Sequence, residues 1–114
     1  MIKETTARKL ILSMPEAVEG EHMDHPDFRV RKKIFATLWP SESRVVVFVD
    51  LESHEELIKE NPGAFSLNGW SAKYGALNVH LDKVSRRLFE SLVHESWARK
   101  APKTLVAEHS SKPK

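Results

Sequence analysis

Residues 44–50 read RVVVFVD, and this stretch decides the fold class. Its five middle residues are β-branched or aromatic, which favours a strand that is buried in a sheet. A second apolar run covers residues 34–39, and only Pro40 and the polar residues 41–43 separate the two runs. A connection this short predicts a hairpin, so the two strands are antiparallel.

Further strands are predicted on both sides of this hairpin. Phe28 and Val30 alternate with Arg29 and Arg31, which is the period of a half-buried strand. Residues 77–81 alternate apolar and polar side chains in the same way, and a weaker strand covers residues 18–23.

Helices are predicted near both ends of the chain and between the strands. Apolar residues recur at helical spacing over residues 3–13 and again over residues 84–100, where Asp82 is the expected cap. A short helix begins at Ser53, the N-cap of a capping box, and ends near residue 60. The predicted fold is an α+β two-layer sandwich, an antiparallel sheet with the N- and C-terminal helices packed on one face.

The chain of 114 residues suits one domain. We assign residues 1–102 to that domain and predict that residues 103–114, which are polar and basic, form a disordered tail. The absence of cysteine fits a reducing compartment, and no apolar run reaches the ~20 residues that span a bilayer. The sequence therefore predicts a cytoplasmic protein without a membrane partner.

The net charge of +2 is unevenly distributed along the chain. From residue 99 onward five basic residues accompany one acid, so this end carries +4 and the preceding residues carry −2. The isoelectric point of about 9.0 is thus largely a property of the C-terminal end. The charge of the whole chain is therefore no argument that the folded body binds nucleic acid.

Two groups of cations are candidate phosphate contacts. The first group lies within five residues and comprises Arg29, Arg31, Lys32 and Lys33. If Arg29 and Arg31 share the solvent face of one strand, their guanidinium groups suit successive phosphates; the alternative is a solvated sheet edge. Arg86 and Arg87 lie in the first turn of the last helix, where cations oppose the helix dipole, so they are either phosphate contacts or ordinary polar surface.

Trp70 and Tyr74 flank Lys73 in an irregular, glycine-containing segment, residues 64–75. An aromatic–lysine–aromatic loop suits an interaction patch, with core packing as the alternative. Most of the other aromatic residues, Trp39 among them, lie on apolar faces and are assigned to the core. The same segment is also a candidate cover for a small-ligand pocket.

The sequence predicts neither a metal site nor a catalytic site. His22, Asp24, His25 and Asp27 offer suitable ligand atoms, but they precede a strand and lack a helical spacing that would bring them together. There is no nucleophile elbow and no glycine-rich phosphate loop. We therefore predict a protein that is not an enzyme and has no cofactor.

The order of these motifs resembles the MmcQ/YjbR family from Thr6 to Leu105. The segments that carry the resemblance are LSMPE at 12–16, HPDFRVR at 25–31, KIFATL at 33–38, PGAF at 62–65, GW at 69–70, NVHL at 78–81 and WARKAPK at 97–103. Two positions depart from the family pattern. Lys32 stands where relatives often have glycine, and Ala76 stands where many relatives have an aromatic residue.

The resemblance implies a bacterial protein with the CyaY-like fold of frataxins, in which helices pack on one face of an antiparallel sheet. It also implies the family's usual description, a predicted DNA-binding protein with a double-wing motif. Iron binding, which a frataxin-like fold also raises, is not favoured here because the first helix lacks an acidic ridge.

The leading hypothesis is weak, largely sequence-independent DNA binding. Its phosphate contacts are predicted to be Arg29, Arg31, Lys32, Lys33 and Lys73, with Arg86 and Arg87 as further candidates. One alternative is a protein-interaction module that uses Trp70 and Tyr74. The other is a small-ligand-binding domain that uses residues 64–75. The sequence does not set an oligomeric state.

Overall fold

A computed structural model describes residues 1–22 and 25–111, without the side chains of His22, Trp70, Ser110 and Ser111. The strands are β1 (Val18–His22), β2 (His25–Val30), β3 (Lys33–Trp39), β4 (Arg44–Phe48), β5 (Phe65–Leu67) and β6 (Ala76–His80). The helices are α1 (Glu4–Leu12), α2 (Leu51–Glu60), α3 (Arg86–Lys100) and α4 (Lys103–Ser111). Two 3-10 helices cover Pro40–Glu42 and Gly69–Tyr74.

The strands form one sheet in the order β1-β2-β3-β4-β6-β5, and every neighbouring pair is antiparallel. The predicted hairpin is β3–β4, in which Ala36 lies opposite Val47 and Leu38 opposite Val45. β6 pairs with β4 on one side and with the three-residue strand β5 on the other. The predicted α+β fold with an antiparallel sheet and terminal helices is confirmed.

One face of the sheet is apolar and supports the helices. Val45 and Val47 of β4 lie opposite Val79 and Leu77 of β6, and all four side chains are fully buried. Directly opposed residues of antiparallel strands point to the same side, so these side chains share one face. α3 packs across β3 and β4, and α1 packs on α3. The Ser96 hydroxyl of α3 accepts a hydrogen bond from the N–H of Phe48 at 2.8 Å, which fixes the helix to the sheet.

The opposite side of the sheet, which we term the outer face, carries polar and aromatic side chains. Thr37, Trp39, Arg44, Asn78 and His80 point to this side and are half-buried. The assignment of Trp39 to the core is therefore wrong. The apolar run of β3 does not reveal which of its alternating positions faces the helices.

The helix caps differ from the predicted ones. α2 begins at Leu51 with Asp50 as its N-cap, whose carboxylate accepts from the N–H of Glu52 at 3.4 Å, so the cap at Ser53 is wrong. α3 begins after Ser85, whose hydroxyl accepts from the N–H of Leu88 at 3.2 Å. Ser85 has an extended backbone that aims its side chain at this N–H, whereas Asp82 lies in the preceding turn.

The C-terminal segment is a folded element over residues 103–111. α4 places Leu105 in the core with 6% of its surface exposed, and Val106 packs against the same core. The His109 ring lies 5.2 Å from the buried Trp97 ring in an edge-on arrangement. The expected disordered tail is therefore wrong for residues 103–111, because apolar contacts offset the cost of ordering them. Residues 112–114 lie outside the described residues.

Candidate nucleic-acid interface

Arg31 and Lys32 form the two-residue turn between β2 and β3. Their φ angles are 49° and 72°, and Val30 pairs with Lys33 to close the hairpin. Positive φ at both central positions is the signature of a type I′ turn. Because β2 ends at Val30, Arg31 is not on a strand, and the predicted pair of guanidinium groups on one strand face is wrong.

Arg29 forms an ion pair with a buried residue of the sheet. Its Nε and Nη2 donate to the two carboxylate oxygens of Asp27 at 3.2 and 3.0 Å, and this carboxylate is fully buried. The hydrogen bonds that Arg29 donates to Asp27, and then the charge of Asp27, raise the pKa of Arg29. Gly20 lies opposite Asp27, and a Cβ there would come within 2.9 Å of Asp27 Oδ1, so β1 approaches this pair closely. Arg29 is therefore held on the sheet by a buried anion.

Arg31 forms a second bidentate ion pair, with Glu16 after α1. Its Nη2 donates to Glu16 Oε2 at 2.9 Å, and its Nε contacts Glu16 Oε1. The hydrogen bond from Arg31 lowers the pKa of Glu16, and the nearby charge of Glu108 on α4 also contributes to the raised pKa of Arg31. Two acids thus compete with any phosphate for Arg31.

Lys33, Arg99 and Lys100 lie close together at the same end of the sheet. Burial first, and then the charges of Arg99 and Lys33, lower the pKa of Lys100. The geometry agrees, since the Ser96 hydroxyl of α3 donates to the carbonyl of Phe35, two residues after Lys33, so the last turn of α3 lies near the β2–β3 turn. The Lys100 ammonium is 4.6 Å from the centre of the Phe48 ring. We name Arg31, Lys32, Lys33, Arg99 and Lys100 the cationic end.

Arg99 and Lys100 were not predicted as contacts of the folded body. Their charge was attributed to a basic C-terminal end, and only the packing of α3 brings them next to Lys33. Within residues 1–22 and 25–111, no salt bridge engages Lys32, Lys33, Arg99 or Lys100. No local pattern in the sequence gives this contact, because the docking of α3 on the sheet decides it.

Arg86 and Arg87 lie far from the cationic end. They are the first two residues of α3, which has 15 residues, so its length separates them from Lys100 by about 20 Å. Arg86 Nε lies 3.3 Å from Glu90 Oε1, one turn further along the same helix. The structure therefore does not unite these two arginines with the other predicted contacts.

Lys73, Tyr74 and Trp70 belong to the 3-10 helix Gly69–Tyr74. The Lys73 ammonium is 5.2 Å from the centre of the Tyr74 ring, and 61% of Tyr74 is exposed. The backbone of Trp70 lies in this helix, while its side chain is outside what the structure describes. The segment ends at Gly75, where a Cβ would lie 3.7 Å from Arg99 Nη2, so the segment reaches the cationic end.

A groove of about 690 Å³ lies between α2 and residues 67–73. Its apolar lining is Leu51, Ile58, Leu67 and Ala72, and Lys59 and Lys73 also line it. His54 is buried in its wall and its Nε2 lies 3.2 Å from the carbonyl oxygen of Gly75, which can only accept a hydrogen bond. This groove is the place that the small-ligand alternative requires.

A second groove, of about 430 Å³, opens on the outer face. Asn78 occupies its centre: Oδ1 accepts from Arg44 Nη1 at 2.9 Å and from Asn68 Nδ2 at 2.7 Å. Asn78 Nδ2 donates to Ser66 Oγ at 3.1 Å, and Ser66 Oγ lies 2.9 Å from His80 Nε2. The alternation of the strands predicts only that these polar positions face solvent, and alternation alone cannot show that they form one network.

In residues 1–22 and 25–111 no three histidine or acidic side chains gather where they could hold a metal ion. Of the four candidate ligands in the sequence, Asp24 and the side chain of His22 lie outside what the structure describes. None of the helices in this part of the chain is long and apolar enough to cross a membrane.

Comparisons with known proteins agree with this architecture. A family model described as YjbR matches residues 12–99. The crystal structure of the Deinococcus radiodurans protein DR2400, of a domain described as DUF419, is similar with a TM-score of 0.77 and 22% sequence identity. The match covers 87% of this chain and 78% of that chain, and at this identity it shows the fold alone. No match is found among curated proteins.

Proposed function

The chain belongs to the YjbR family, and from this premise we propose that it is a non-enzymatic, cytoplasmic DNA-binding protein. Binding is weak and largely independent of base sequence. The surface that binds is the cationic end, and the phosphate backbone is the part of DNA that it contacts.

The observation that carries this proposal is the crowding of Lys33, Arg99 and Lys100. Lys33 is distant in sequence from Arg99 and Lys100, and burial, followed by the charges of Arg99 and Lys33, lowers the pKa of Lys100. The neighbouring turn adds a backbone cost, since Arg31 and Lys32 both have positive φ. A fold that holds like charges together at a cost favours an anionic partner, which would remove the repulsion.

The chemistry of the cationic end suits phosphates more than bases. Lysine ammonium groups act as point charges, and contacts to phosphate fix position without reading sequence. Four of the five cations have no salt-bridge partner among the described residues, so about four phosphates are the expected number of contacts. Arg31 contributes less because Glu16 and Glu108 oppose its charge.

A salt titration of DNA binding tests the proposal. Fluorescence anisotropy with a labelled duplex should give a slope of log affinity against log salt near −3.6 for about four phosphates. The variant Lys32→Gln/Lys33→Gln/Arg99→Gln/Lys100→Gln should flatten this slope. The matched control, Lys3→Gln/Lys83→Gln/Arg86→Gln/Arg87→Gln, removes the same charge at the other end of the sheet and should keep most of the slope. Equal losses in both variants would overturn the assignment.

A single substitution should strengthen binding. Glu16→Gln frees Arg31 from its ion pair, so affinity should rise and the salt slope should steepen by up to about one unit. Glu90→Gln is the control, because it removes an equal charge that pairs with the remote Arg86. If both variants raise affinity equally, net charge alone explains binding and the surface assignment fails.

The groove between α2 and residues 67–73 favours a second candidate function, the binding of a small amphipathic ligand. Two of its lining side chains, Leu51 and Leu67, are 52% and 57% exposed, so a ligand would bury them. Decanoate is a suitable probe, since Lys59 and Lys73 complement its carboxylate. Leu67→Ser should abolish binding in calorimetry, and Leu12→Ser, a similar change at an exposed leucine elsewhere, should not.

The protein-interaction alternative rests on Tyr74, which is exposed next to this groove. It differs from DNA binding in its response to salt, because a largely apolar contact is screened little. It stays a prediction.

A further inference from the structure

Asn78 organises the groove on the outer face. Its two amide protons go to Ser66 Oγ and to the carbonyl of Leu67, and its oxygen accepts from Arg44 and Asn68. These four bonds use the full capacity of a side-chain amide. Asn78 is therefore a positioning residue, and a ligand would meet the groups that it holds in place.

Arg44 is the most strongly held of these groups. Its guanidinium carbon lies 4.8 Å from the centre of the Trp39 ring, and the ring of His25 stacks on Trp39 at 3.8 Å. Only 13% of the Arg44 side chain is exposed, yet the residue lines the groove. A guanidinium group has five N–H donors, and within the described residues Arg44 donates to two acceptors, Asn78 and Glu42. It therefore has donors left for a ligand.

Stability alone is a poor explanation for this network. Hydrogen bonds and ion pairs at a half-buried surface contribute only modestly to folding, and fixing long side chains costs conformational entropy. The network nevertheless joins three separate segments, 42–44, 66–68 and 78–80, into one arrangement. Side chains that are fixed at the wall of a groove before a ligand binds are typical of a preorganised binding site.

The groups around the groove indicate the chemistry of that ligand. Arg44, Asn68, Ser71 and His80 all line it and all carry hydrogen-bond donors. We propose that the outer face holds a binding site for a small oxyanion, a carboxylate or phosphate group, with Arg44 as its principal contact. The guanidinium group suits both, because its paired donors match two oxygens of either group.

Glu42 acts as an internal competitor at this site. Its Oε2 accepts from Arg44 Nη2 at 3.0 Å, and 54% of its side chain is exposed. An ion pair with so exposed a partner is readily exchanged for a bound oxyanion. Removal of this carboxylate by Glu42→Gln should therefore tighten oxyanion binding severalfold.

The site is distinct from the cationic end. Trp39 and Arg44 lie at the far end of β3 and β4 from the Arg31–Lys32 turn. The length of β3 separates the two places by about 20 Å. DNA binding at the cationic end and oxyanion binding at Arg44 can therefore be tested and lost independently.

The test uses the indole N–H signals of the full chain in NMR. Trp39 Nε1 donates to Thr37 Oγ1 at 3.0 Å beside Arg44, so its signal reports on the site. Trp97 Nε1 donates to the carbonyl of Pro15 under the helices and is an internal reference. Trp39→Phe and Trp70→Phe variants assign the three signals. Inorganic phosphate and acetate are titrated separately at constant ionic strength, with chloride as the replaced anion.

The expected result is a saturable shift of the Trp39 signal with phosphate, acetate or both, while the Trp97 signal stays in place. Arg44→Gln should weaken binding at least about tenfold. Arg44→Lys should have an intermediate affinity, because lysine keeps the charge but lacks the two parallel N–H donors of the guanidinium group. Preserved melting temperature and an unmoved Trp97 signal would show that Arg44→Gln is folded. No shift with either anion, or equal shifts in wild type and Arg44→Gln, would overturn the proposal.

Discussion

The backbone of Lys32 has a φ of 72°, a value that side chains with a Cβ rarely adopt. Arg31 before it has a φ of 49°, so both central residues of the turn are left-handed. Asn-Gly is the pair that fits such a turn best. Arg31 and Lys32 place two cations at the tip of the hairpin, and their positive φ angles have a conformational cost. Such a cost is expected where the charge of the residues matters more than their fit to the turn.

Replacement of Lys32 by glycine should raise the free energy of unfolding by about 0.5–1 kcal/mol, because glycine adopts positive φ without strain. Lys32→Ala is the control: it removes the same charge but keeps a Cβ, so no such gain is expected. Urea denaturation of the three proteins measures the difference. Equal stability of the glycine and alanine variants would contradict the strain.

Glu16 should give the fold a pH dependence of definite sign. The hydrogen bond from Arg31 lowers its pKa from 4.5. A carboxyl with a lower pKa in the folded state stabilises the fold above its unfolded-state pKa and loses this effect as pH falls through the folded pKa. The melting temperature of wild type should thus slightly exceed that of Glu16→Gln at neutral pH, and the gap should close below 4.5. A gap that widened in acid would show that the pair does not form.

At the scale of elements, α4 changes how the C-terminal end is understood. It covers part of the core through Leu105 and brings Glu108 near Arg31. A chain cut at Lys100 would therefore lose a packed helix as well as basic residues. Loss of DNA binding in such a truncated chain would not separate the two causes, which is why point substitutions are the better test.

Leu105→Ala should lower the free energy of unfolding by about 2 kcal/mol, at the low end for buried leucines because α4 lies at the periphery. Thr104→Ala changes the neighbouring exposed position and should stay within about 0.5 kcal/mol of wild type. Chemical denaturation of both variants measures the difference. If the two variants were equally stable, α4 would not be part of the core.

All strands except β5 and all α-helices except α4 could be predicted, whereas the helix caps could not. Asp50 and Ser53 compete at one helix, and Asp82 and Ser85 at the other, in each case three residues apart. All are good capping residues, so sequence preference does not separate them. The backbone angles at Asp50 and Ser85 make the choice, and tertiary packing sets those angles.

For the molecule as a whole, the candidate site was predicted only in part. Lys32 and Lys33 were identified because they are neighbours in sequence. Arg99 and Lys100 join them only through the docking of α3 on the sheet, a contact that no local pattern contains. The same limit applies to Arg29, because its charge looked available, but it pairs with Asp27, whose full burial the local sequence does not reveal.

The pairing of β4 with β6 also bears on how the protein can change over evolution. Residues 49–75, with α2 and β5, leave the sheet after β4 and return at its neighbour. Doubling the length of a flexible loop costs only about 0.6 kcal/mol of closure entropy, so insertions in the connections between α2, β5 and β6 have a small cost. Because residues 49–75 line both grooves, insertions in this segment would change which ligands fit the grooves while the sheet stays the same. The fold thus separates an adaptable segment from a constant scaffold.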